Sequence, residues 1–345
     1  MTPPVRARWP NGRRAATIDG MAPAPRDPGR RTVLASGTLA AVGTALGCAP
    51  IADEPDWRPG PLPIASGVVD GVYNPYGGAL AQRIARALTG VTPRVRVTGG
   101  SVDNLAQVID GTASFGFAAA DVLARTLDAS TGHDLAGLAH IYDDYVHLAV
   151  TERSGIGSIE ELRGRKMRIS QDRPGSGVEL VARRVLDVLG WRAGRDFQPV
   201  HSHLTASIAM LRAGTIDAFF WSGGLPTTAI ARLARTVPIR LLPLGWLGDR
   251  MVSRYGPYYR TSTIPNMMYP GTGAVRSLAL PNYVVTRGSV DRGLAYHITK
   301  VIIAERDAIA ATVPSANQLD IHSAIQTGKL DLHPGAVDYY RSIKP

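Results

Sequence analysis

Residues 95–105, VRVTGGSVDNL, contain the pattern that decides the fold. Val95 and Val97 flank a polar residue as in a strand, and the segment 101–109 places its apolar residues at helical spacing. Two glycines separate these segments, and glycine permits the sharp turn by which a strand passes directly into a helix. A strand, a glycine turn and a helix in succession are the repeating unit of an α/β protein with parallel strands.

The same alternation extends outward from this stretch. In the first part of the chain it predicts strands at 63–66, 95–97, 114–118 and 146–151, and helices at 77–88 and 101–109. It then restarts, with strands at 166–170, 197–201, 216–221 and 239–242 and helices at 159–162, 177–189, 205–212 and 226–235. Residues 246–273, rich in Gly, Pro and Tyr, predict irregular structure. A strand at 274–286 and a long helix at 291–311 follow.

The doubled pattern predicts two α/β lobes. Lobe 1 takes residues 62–150 and 274–345, and lobe 2 takes residues 151–273. A chain that crosses twice between two lobes encloses a cleft that can close on a ligand by hinge bending. The length of 345 residues suits two such lobes, and no uncharged apolar run after the first 50 residues is long enough to cross a bilayer.

The positive charge does not indicate a nucleic-acid partner. Of the net charge of +10, half lies in residues 1–48, which hold seven arginines against two aspartates. The other basic residues are scattered among acidic ones, without a basic block interleaved with aromatic residues.

Residues 1–48 have the parts of a secretory signal peptide. Two arginines, Arg30 and Arg31, precede an uncharged apolar stretch, and this pair resembles a twin-arginine export signal. Cys48 is the only cysteine and follows the apolar stretch as in a bacterial lipobox, although Ala45 stands where a leucine is usual. We therefore predict a lipid anchor at Cys48, an exported protein on the outer face of the cytoplasmic membrane, and a flexible tether at 49–61. A plain secretory or periplasmic protein is the alternative, and Met21 is a second candidate start.

Eight segments together resemble the TAXI family, the solute-binding subunits of TRAP-type secondary transporters. They occur in the family's order and cover nearly all of residues 62–340. The segments are GVYNPYGGAL (71–80), TGGSVDNL (98–105), FGFAAAD (115–121), LRGR (162–165), PGSG (174–177), GTIDAFF (214–220), GLP (224–226) and LHPGA (332–336). Asn74, Tyr76 and Val178 depart from the family's residues, which puts the ligand in doubt rather than the fold.

The resemblance implies a type II periplasmic-binding-protein fold, in which two lobes, each a mixed sheet flanked by helices, are joined by hinge strands. It also implies that the ligand is an acidic amino acid or a dicarboxylate, delivered to a TRAP-type membrane permease. No chemistry on the solute is expected.

Two glycine-rich turns are candidate carboxylate sites, because helix N-termini carry unpaired N–H groups and a positive dipole end. In lobe 1 the candidates are Gly100 and Ser101, with Asn104 facing the same cleft, although Ser101 could equally be only the N-cap. In lobe 2 the turn before a strong helix supplies Gly175, Ser176 and Gly177.

Five further residues are candidate ligand contacts, and three of them have a structural alternative. Tyr73 could stack on the solute or pack in the lobe, and Trp221 could form a wall of the site or belong to the core. Asp121 either meets an amino group or caps the following helix. Gly224 and Pro226 form a further turn onto a helix.

Other function classes find less support in the sequence. Ser176 lacks the Gly-x-Ser-x-Gly spacing of a nucleophile elbow, so a serine hydrolase is a weak alternative. His201 and His203 have no cysteine or carboxylate nearby to complete a zinc site. We predict no catalytic residue, no metal and no cofactor. A lipoprotein that senses a ligand for a membrane receptor kinase remains an alternative that the sequence does not separate from transport.

Overall fold

A mixed β-sheet runs through the described part of the chain. The computed structural model describes residues 57–129, 133–164 and 167–344, so the predicted signal peptide, Cys48 and most of the tether lie outside the described residues. The strands are β1 Gly60–Gly67, β2 Val91–Val97, β3 Phe115–Ala119, β4 Leu135–Thr151, β5 Arg168–Ser170, β6 Gln198–Val200, β7 Ala218–Gly223, β8 Ile239–Leu241, β9 Arg260–Ile264 and β10 Val275–Arg287.

The strand order repeats one arrangement on each side of the sheet. The order is β2-β1-β3-β10-β4-β7-β5-β6, with β9 paired to β10 and β8 paired to β4. Strands β1, β2 and β3 are mutually parallel, as are β5, β6 and β7. In contrast, β10 is antiparallel to β3 and β4, and β4 is antiparallel to β7 and β8. Each lobe is therefore a parallel sheet closed by antiparallel strands.

Helices cover both lobes. They are α1 Tyr73–Ala87, α2 Ser101–Ile109, α3 Ala120–Ala129, α4 Gly177–Val188, α5 Leu204–Ala213, α6 Thr228–Thr236, α7 Gly248–Tyr255, α8 Arg292–Ala304, α9 Arg306–Ala310, α10 Ile321–Ala324 and α11 Pro334–Ser342. The predicted α/β class, with mixed sheets flanked by helices, is confirmed.

The two largest hydrophobic cores of the described residues lie on opposite sides of the sheet, and a smaller cluster around Val122 and Leu180 lies between them. One joins Ile64 and Phe115 of the first sheet half to Ile298 of α8, and all three side chains are buried. The other joins Ile169 of β5 to Val185 of α4. The long strands β4 and β10 pair along their length and run from one core to the other, so they connect the lobes as the resemblance implied. The lobe boundaries given above stay predictions.

Several segments differ from the sequence prediction. Residues 246–273 are not irregular throughout, because they contain α7 and β9. The predicted long helix at 291–311 is interrupted at Glu305, whose φ and ψ are −97° and 11°. The first strand begins at Gly60 rather than Pro63, and Trp57 packs its indole ring 4.6 Å from the ring of His297. The end of the predicted tether therefore packs against lobe 1.

Strand β4 begins earlier than the sequence suggested. Only residues 146–151 were predicted as strand, whereas β4 starts at Leu135. Its first part carries Asp143 and Asp144, and two adjacent aspartates are unfavourable in a strand, which explains why the pattern was missed. Within the described ranges, no helix combines the length and apolar character that crossing a membrane requires.

Candidate ligand-binding site

A cavity lies where the carboxyl ends of the parallel strands of both lobes meet. This is the position at which open α/β sheets bind ligands, because the turns from strand to helix converge there. The cavity has about 60 Å³ of space for the centre of a water-sized sphere. Its lining includes residues that end or follow strands of each lobe, namely Gly67, Ala119, Asp172 and Gly223.

In lobe 1 the cavity wall is the start of α2. Gly100 is the N-cap and has a φ of 111°, a conformation that side chains other than glycine rarely adopt. Ser101 is the first helical residue, so the alternative in which its side chain caps the helix is wrong. Its Oγ instead accepts a hydrogen bond from the Ala119 N–H at 3.1 Å. The N–H groups of Ser101 and Val102 find no acceptor among the described residues and are open to a ligand.

Tyr73 lies beside Ser101 at the start of α1. Its hydroxyl is 3.3 Å from the Ser101 Oγ and donates a hydrogen bond to the Asn282 Oδ1 of β10. Its ring stacks on Phe117 with a centroid distance of 5.3 Å. Burial raises the pKa of the Tyr73 hydroxyl well above its usual value, so the group stays protonated. Tyr73 thus both packs in lobe 1 and lines the cavity.

In lobe 2 the cavity wall is the start of α4. Ser176 is the N-cap, and its Oγ accepts a hydrogen bond from the Glu179 N–H at 3.0 Å. The N–H groups of Gly177 and Val178 have no acceptor among the described residues. A Cβ placed on Gly177 would lie 3.6 Å from the Ser101 Oγ, so the starts of α2 and α4 approach each other across the cavity.

Trp221 closes the cavity from the side of β7. Its indole Nε1 donates to the Thr227 Oγ1 at 3.0 Å, and the side chain is 5% exposed. Because its polar atom is satisfied by the protein, Trp221 offers only its ring to a ligand. Val178 and Val181 of α4 add further apolar surface. The cavity therefore combines an apolar wall with polar helix starts.

Asp144 lines the cavity, although sequence reasoning did not select it. Its Oδ2 accepts a hydrogen bond from the Ser222 Oγ at 3.2 Å, whereas its Oδ1 is buried without a partner. Burial raises the pKa of the Asp144 carboxyl to about 8, and the hydrogen bond from Ser222 only partly opposes this. Nothing in the sequence around Asp144 distinguishes it from an exposed strand residue.

Asp172 is a second cavity carboxylate that sequence reasoning missed. It is 7% exposed, and its Oδ1 also has no partner. Burial raises its pKa, while the neighbouring Arg173 N–H and Ser176 hydroxyl lower it. Its φ of 69° makes it the one non-glycine residue of the described ranges in the left-handed region, a conformation that clusters at binding sites.

The other predicted site residues lie outside the cavity lining. Asn104 is used internally, because its Nδ2 donates to the Phe117 carbonyl at 2.8 Å and its Oδ1 accepts from Thr98 at 2.6 Å. Gly175 donates its N–H to the Glu179 side chain at 3.0 Å. Gly224 packs so closely that an added Cβ would lie 2.2 Å from the Ser315 Oγ. Pro226 follows a cis peptide bond and faces a neighbouring surface hollow.

Asp121 joins the two lobes instead of lining the cavity. Its Oδ1 accepts from the N–H of the next residue, Val122, at 2.7 Å. Because α3 begins at Ala120, Asp121 lies within the helix, and the predicted capping role is wrong. Its Oδ2 accepts from the Tyr259 hydroxyl at 2.7 Å and from the Arg184 guanidinium of α4 at 3.3 Å. Burial raises the pKa of Asp121, and Arg184 is the largest opposing influence.

The structure offers no support for the chemistry alternatives. The hydroxyl of Ser176 accepts a bond at the helix start, and no histidine of the described ranges contacts it. His201 and His203 are exposed, and His201 lies beyond the end of β6. No cluster of three or more His, Cys, Asp or Glu suited to a metal ion occurs in the described part of the chain.

Comparison with known proteins relates almost the whole described chain to one family. The model of the NMT1-like family matches residues 64–343. Among solved structures, the aliphatic sulphonate binding protein SsuA from Escherichia coli is 16% identical, with a TM-score of 0.47 and 84% coverage of each chain. PhnD1 from Prochlorococcus marinus in complex with methylphosphonate is 11% identical, with a TM-score of 0.47 and coverage of 71% of this chain and 85% of that chain. A putative L-cystine ABC transporter from Listeria monocytogenes is 11% identical, with a TM-score of 0.46 and coverage of 75% and 98%. Likenesses at this level carry no argument about the solute.

Proposed function

The chain belongs to the NMT1-like family, a family of solute-binding proteins rather than of enzymes, and from this premise we propose that it captures a small carboxylate-bearing solute outside the cytoplasm. The candidate solutes are an acidic amino acid or a dicarboxylate. The protein passes the solute to a membrane transporter and does not alter it.

The approach of two helix starts across one cavity is the observation that carries this proposal. The free N–H groups at the starts of α2 and α4 come from different lobes and lie around the same space. Each helix start favours a negative group, because its N–H groups and the helix dipole both point at the ligand. A carboxylate held by both lobes stabilises the closed arrangement, which links binding to closure.

The transporter that we propose is a TRAP-type permease, with the chain as its TAXI-type subunit. Support comes from the eight sequence segments, which include the turns at the starts of α2 and α4. The export route proposed for residues 1–48 and lipid attachment at Cys48 place the protein at the outer face of the membrane that holds the permease. Radiolabelled palmitate incorporated by the wild type and not by the Cys48→Ser variant is the expected sign of the anchor.

Thermal unfolding with a panel of solutes tests capture directly. A ligand that binds only the folded state at about one hundred times its dissociation constant adds about 2.7 kcal/mol of stability, a readily measured rise in melting temperature. We expect such a rise with at least one amino acid or dicarboxylate and none with sugars. A rise with sugars alone would contradict a carboxylate ligand. If no solute has an effect, native mass spectrometry of the purified protein shows whether it already holds one, and an empty protein would contradict capture of these solutes.

A further inference from the structure

The charge of the cavity lining narrows the class of solute. Among the described residues that line the cavity, Asp144 and Asp172 are the only ones with carboxyl side chains, and no Lys, Arg or His joins them. Arg173 follows Asp172 in the chain but is not part of the lining. A cavity for a dicarboxylate needs positive groups to balance the ligand, whereas the side chains of this lining supply none. The inference below rests on the proposed function and concerns which carboxylate-bearing solute is taken.

Both aspartates have acceptor capacity that the protein does not use. The Oδ1 atoms of Asp144 and Asp172 are buried and have no hydrogen-bond partner in the described structure. The two residues are 6% and 7% exposed, so they are largely shielded from bulk solvent. Buried polar atoms are almost always paired in folded proteins, and unpaired ones at a cavity indicate a missing donor.

Each aspartate is held by the fold only in part, Asp144 through Ser222 and Asp172 through the Arg173 N–H and the Ser176 hydroxyl. Asp172 adopts the left-handed conformation, and Asp144 stands in the strand that connects the lobes. Neither forms an ion pair with another described residue, whereas other carboxylates, such as Asp143 with Arg260 and Asp128 with Lys329, do. Two buried carboxyl groups without a full set of partners destabilise the ligand-free protein, so a ligand group that bonds to both explains their presence.

We propose that the cavity selects a solute with an ammonium group, held by Asp144 and Asp172, while the helix starts of α2 and α4 receive its carboxylate. Of the two solute classes proposed above, this retains the amino acids and rejects the dicarboxylates. Dicarboxylates and 2-oxo acids, which lack the ammonium group, are rejected because they leave both aspartates unpaired.

One competing arrangement uses the same residues. In it, Asp144 stays protonated and donates a hydrogen bond to a carboxylate of the ligand. Burial raises the pKa of Asp144 to about 8, so both forms are accessible near neutral pH, and the neighbouring charges of Asp121 and Asp143 act in the same direction. The two arrangements differ in the sign of proton exchange. An ammonium ligand favours the ionised carboxylate and releases a proton, whereas a carboxylate ligand retains the proton on Asp144.

The experiment compares matched amino and 2-oxo acids by isothermal titration on the full wild-type chain. The probes are L-leucine against 4-methyl-2-oxopentanoate, L-arginine, and L-glutamate against 2-oxoglutarate and glutarate. We expect at least one amino acid to bind more than tenfold tighter than its 2-oxo partner. We also expect its affinity to rise between pH 6.5 and 8.5, with proton release detected by comparing buffers of different ionisation enthalpy.

Substitution of the two aspartates tests whether they cause the tighter binding of amino acids. Asp144→Asn and Asp172→Asn keep the side-chain shape, and asparagine tolerates the left-handed conformation at position 172 as aspartate does. Each should weaken amino-acid binding at least tenfold. The control is Asp128→Asn, which removes an exposed carboxylate paired with Lys329 and should leave binding unchanged.

The results distinguish an error in the proposed ammonium site from an error in the proposed function. If 2-oxo acids or glutarate bind as tightly as the amino acids, or if binding takes up a proton, the ammonium site is overturned while solute capture stands. If none of the probes binds, the ammonium site is overturned as well. Native mass spectrometry of the same sample then decides whether the protein holds any small solute, and an empty protein would count against capture.

Discussion

Asp144 destabilises the ligand-free fold, and its proposed role in binding explains why such a residue is present. A buried carboxylate without a full set of hydrogen bonds destabilises the ligand-free fold, because ionisation in a poorly solvated site is unfavourable. Its partner Ser222 supplies only one bond at 3.2 Å. If the residue served the fold alone, an amide or an apolar side chain would serve better. Its position at the cavity therefore makes a binding role the more economical explanation.

The pH dependence of stability gives a prediction for this residue. The pKa of Asp144 rises from 3.8 in the unfolded chain to about 8 in the native state, so in this range only the native state holds the proton and stability falls as pH rises. Buried His147 acts in the opposite direction, because burial lowers its pKa from 6.5 to about 4 and its contribution is lost only as pH falls through that range. Above pH 6.5 the contribution of His147 no longer changes with pH. The loss of stability with rising pH then comes from the buried carboxyls with raised pKa values, Asp144 together with Asp121 and Asp172.

We expect the ligand-free wild type to lose about 2 kcal/mol of unfolding free energy between pH 6.5 and 8, at about 1.4 kcal/mol per pH unit. Urea unfolding at several pH values measures this loss. Asp144→Asn should reduce the slope and be the more stable protein at pH 8. An unchanged slope in Asp144→Asn would mean that another group causes the loss.

Sequence reasoning placed the helix-start residues of the site but not its carboxylates. Gly100, Ser101, Ser176 and Gly177 line the cavity because glycine turns between strand and helix have a sequence signature. Asp144, by contrast, faces the cavity only because β4 pairs with β7 in one register, and a shift of one residue would turn it to the other face. The register of a strand is set when the sheet assembles, so it cannot be predicted from the local sequence.

At the scale of elements, segments with strong local signals were predicted best. Helix α2 has the predicted bounds, and α4 ends one residue earlier than predicted, because a glycine turn starts each of them and apolar spacing continues through them. Helix α7 was missed because only Met251 and Gly248 of its eight residues are buried, so it has almost no apolar stripe. Tertiary packing rather than local pattern positions such elements.

The contact of α3 with α4 supplies a prediction at this scale. Arg184 of α4 pairs with Asp121, and the two side chains are 11% and 0% exposed. Arg184→Ala removes the cation and leaves a buried carboxylate unbalanced, so we expect a loss of about 3 kcal/mol in urea unfolding at pH 7. The neighbouring Arg183→Ala is the control, because Arg183 is 60% exposed and pairs only with Glu179. Equal effects of the two variants would show that the buried pair has no special role.

At the scale of the whole molecule, several polar contacts cross from one lobe to the other. Besides the bond between Arg184 and Asp121, the Arg173 guanidinium lies 3.5 Å from the Gly99 carbonyl, and Thr205 donates to Asp70. A smaller apolar cluster also crosses between the lobes, where Leu180 of α4 packs with Val122 and Leu123 of α3. Each lobe nevertheless has a larger core of its own, which such contacts leave in place when they break. Two lobes with separate cores, joined by two continuous strands, can move about those strands without unfolding.

Hinge closure predicts a distance change across the cavity mouth. Val97 and Pro174 are exposed and lie two residues before Gly99 and one residue after Arg173, so labels on them report the separation of the lobes. In a Cys48→Ser background, spin labels at Val97→Cys and Pro174→Cys should give one short distance with ligand and longer, broader distances without it. Labels at Gln82→Cys and Val97→Cys, both in lobe 1, should give the same distance in each state. If the first pair is equally insensitive to ligand, the lobes form a rigid receptor, and coupling of capture to closure is wrong for this protein. A ligand-dependent distance would instead mean that the cavity forms fully only when solute bridges the starts of α2 and α4.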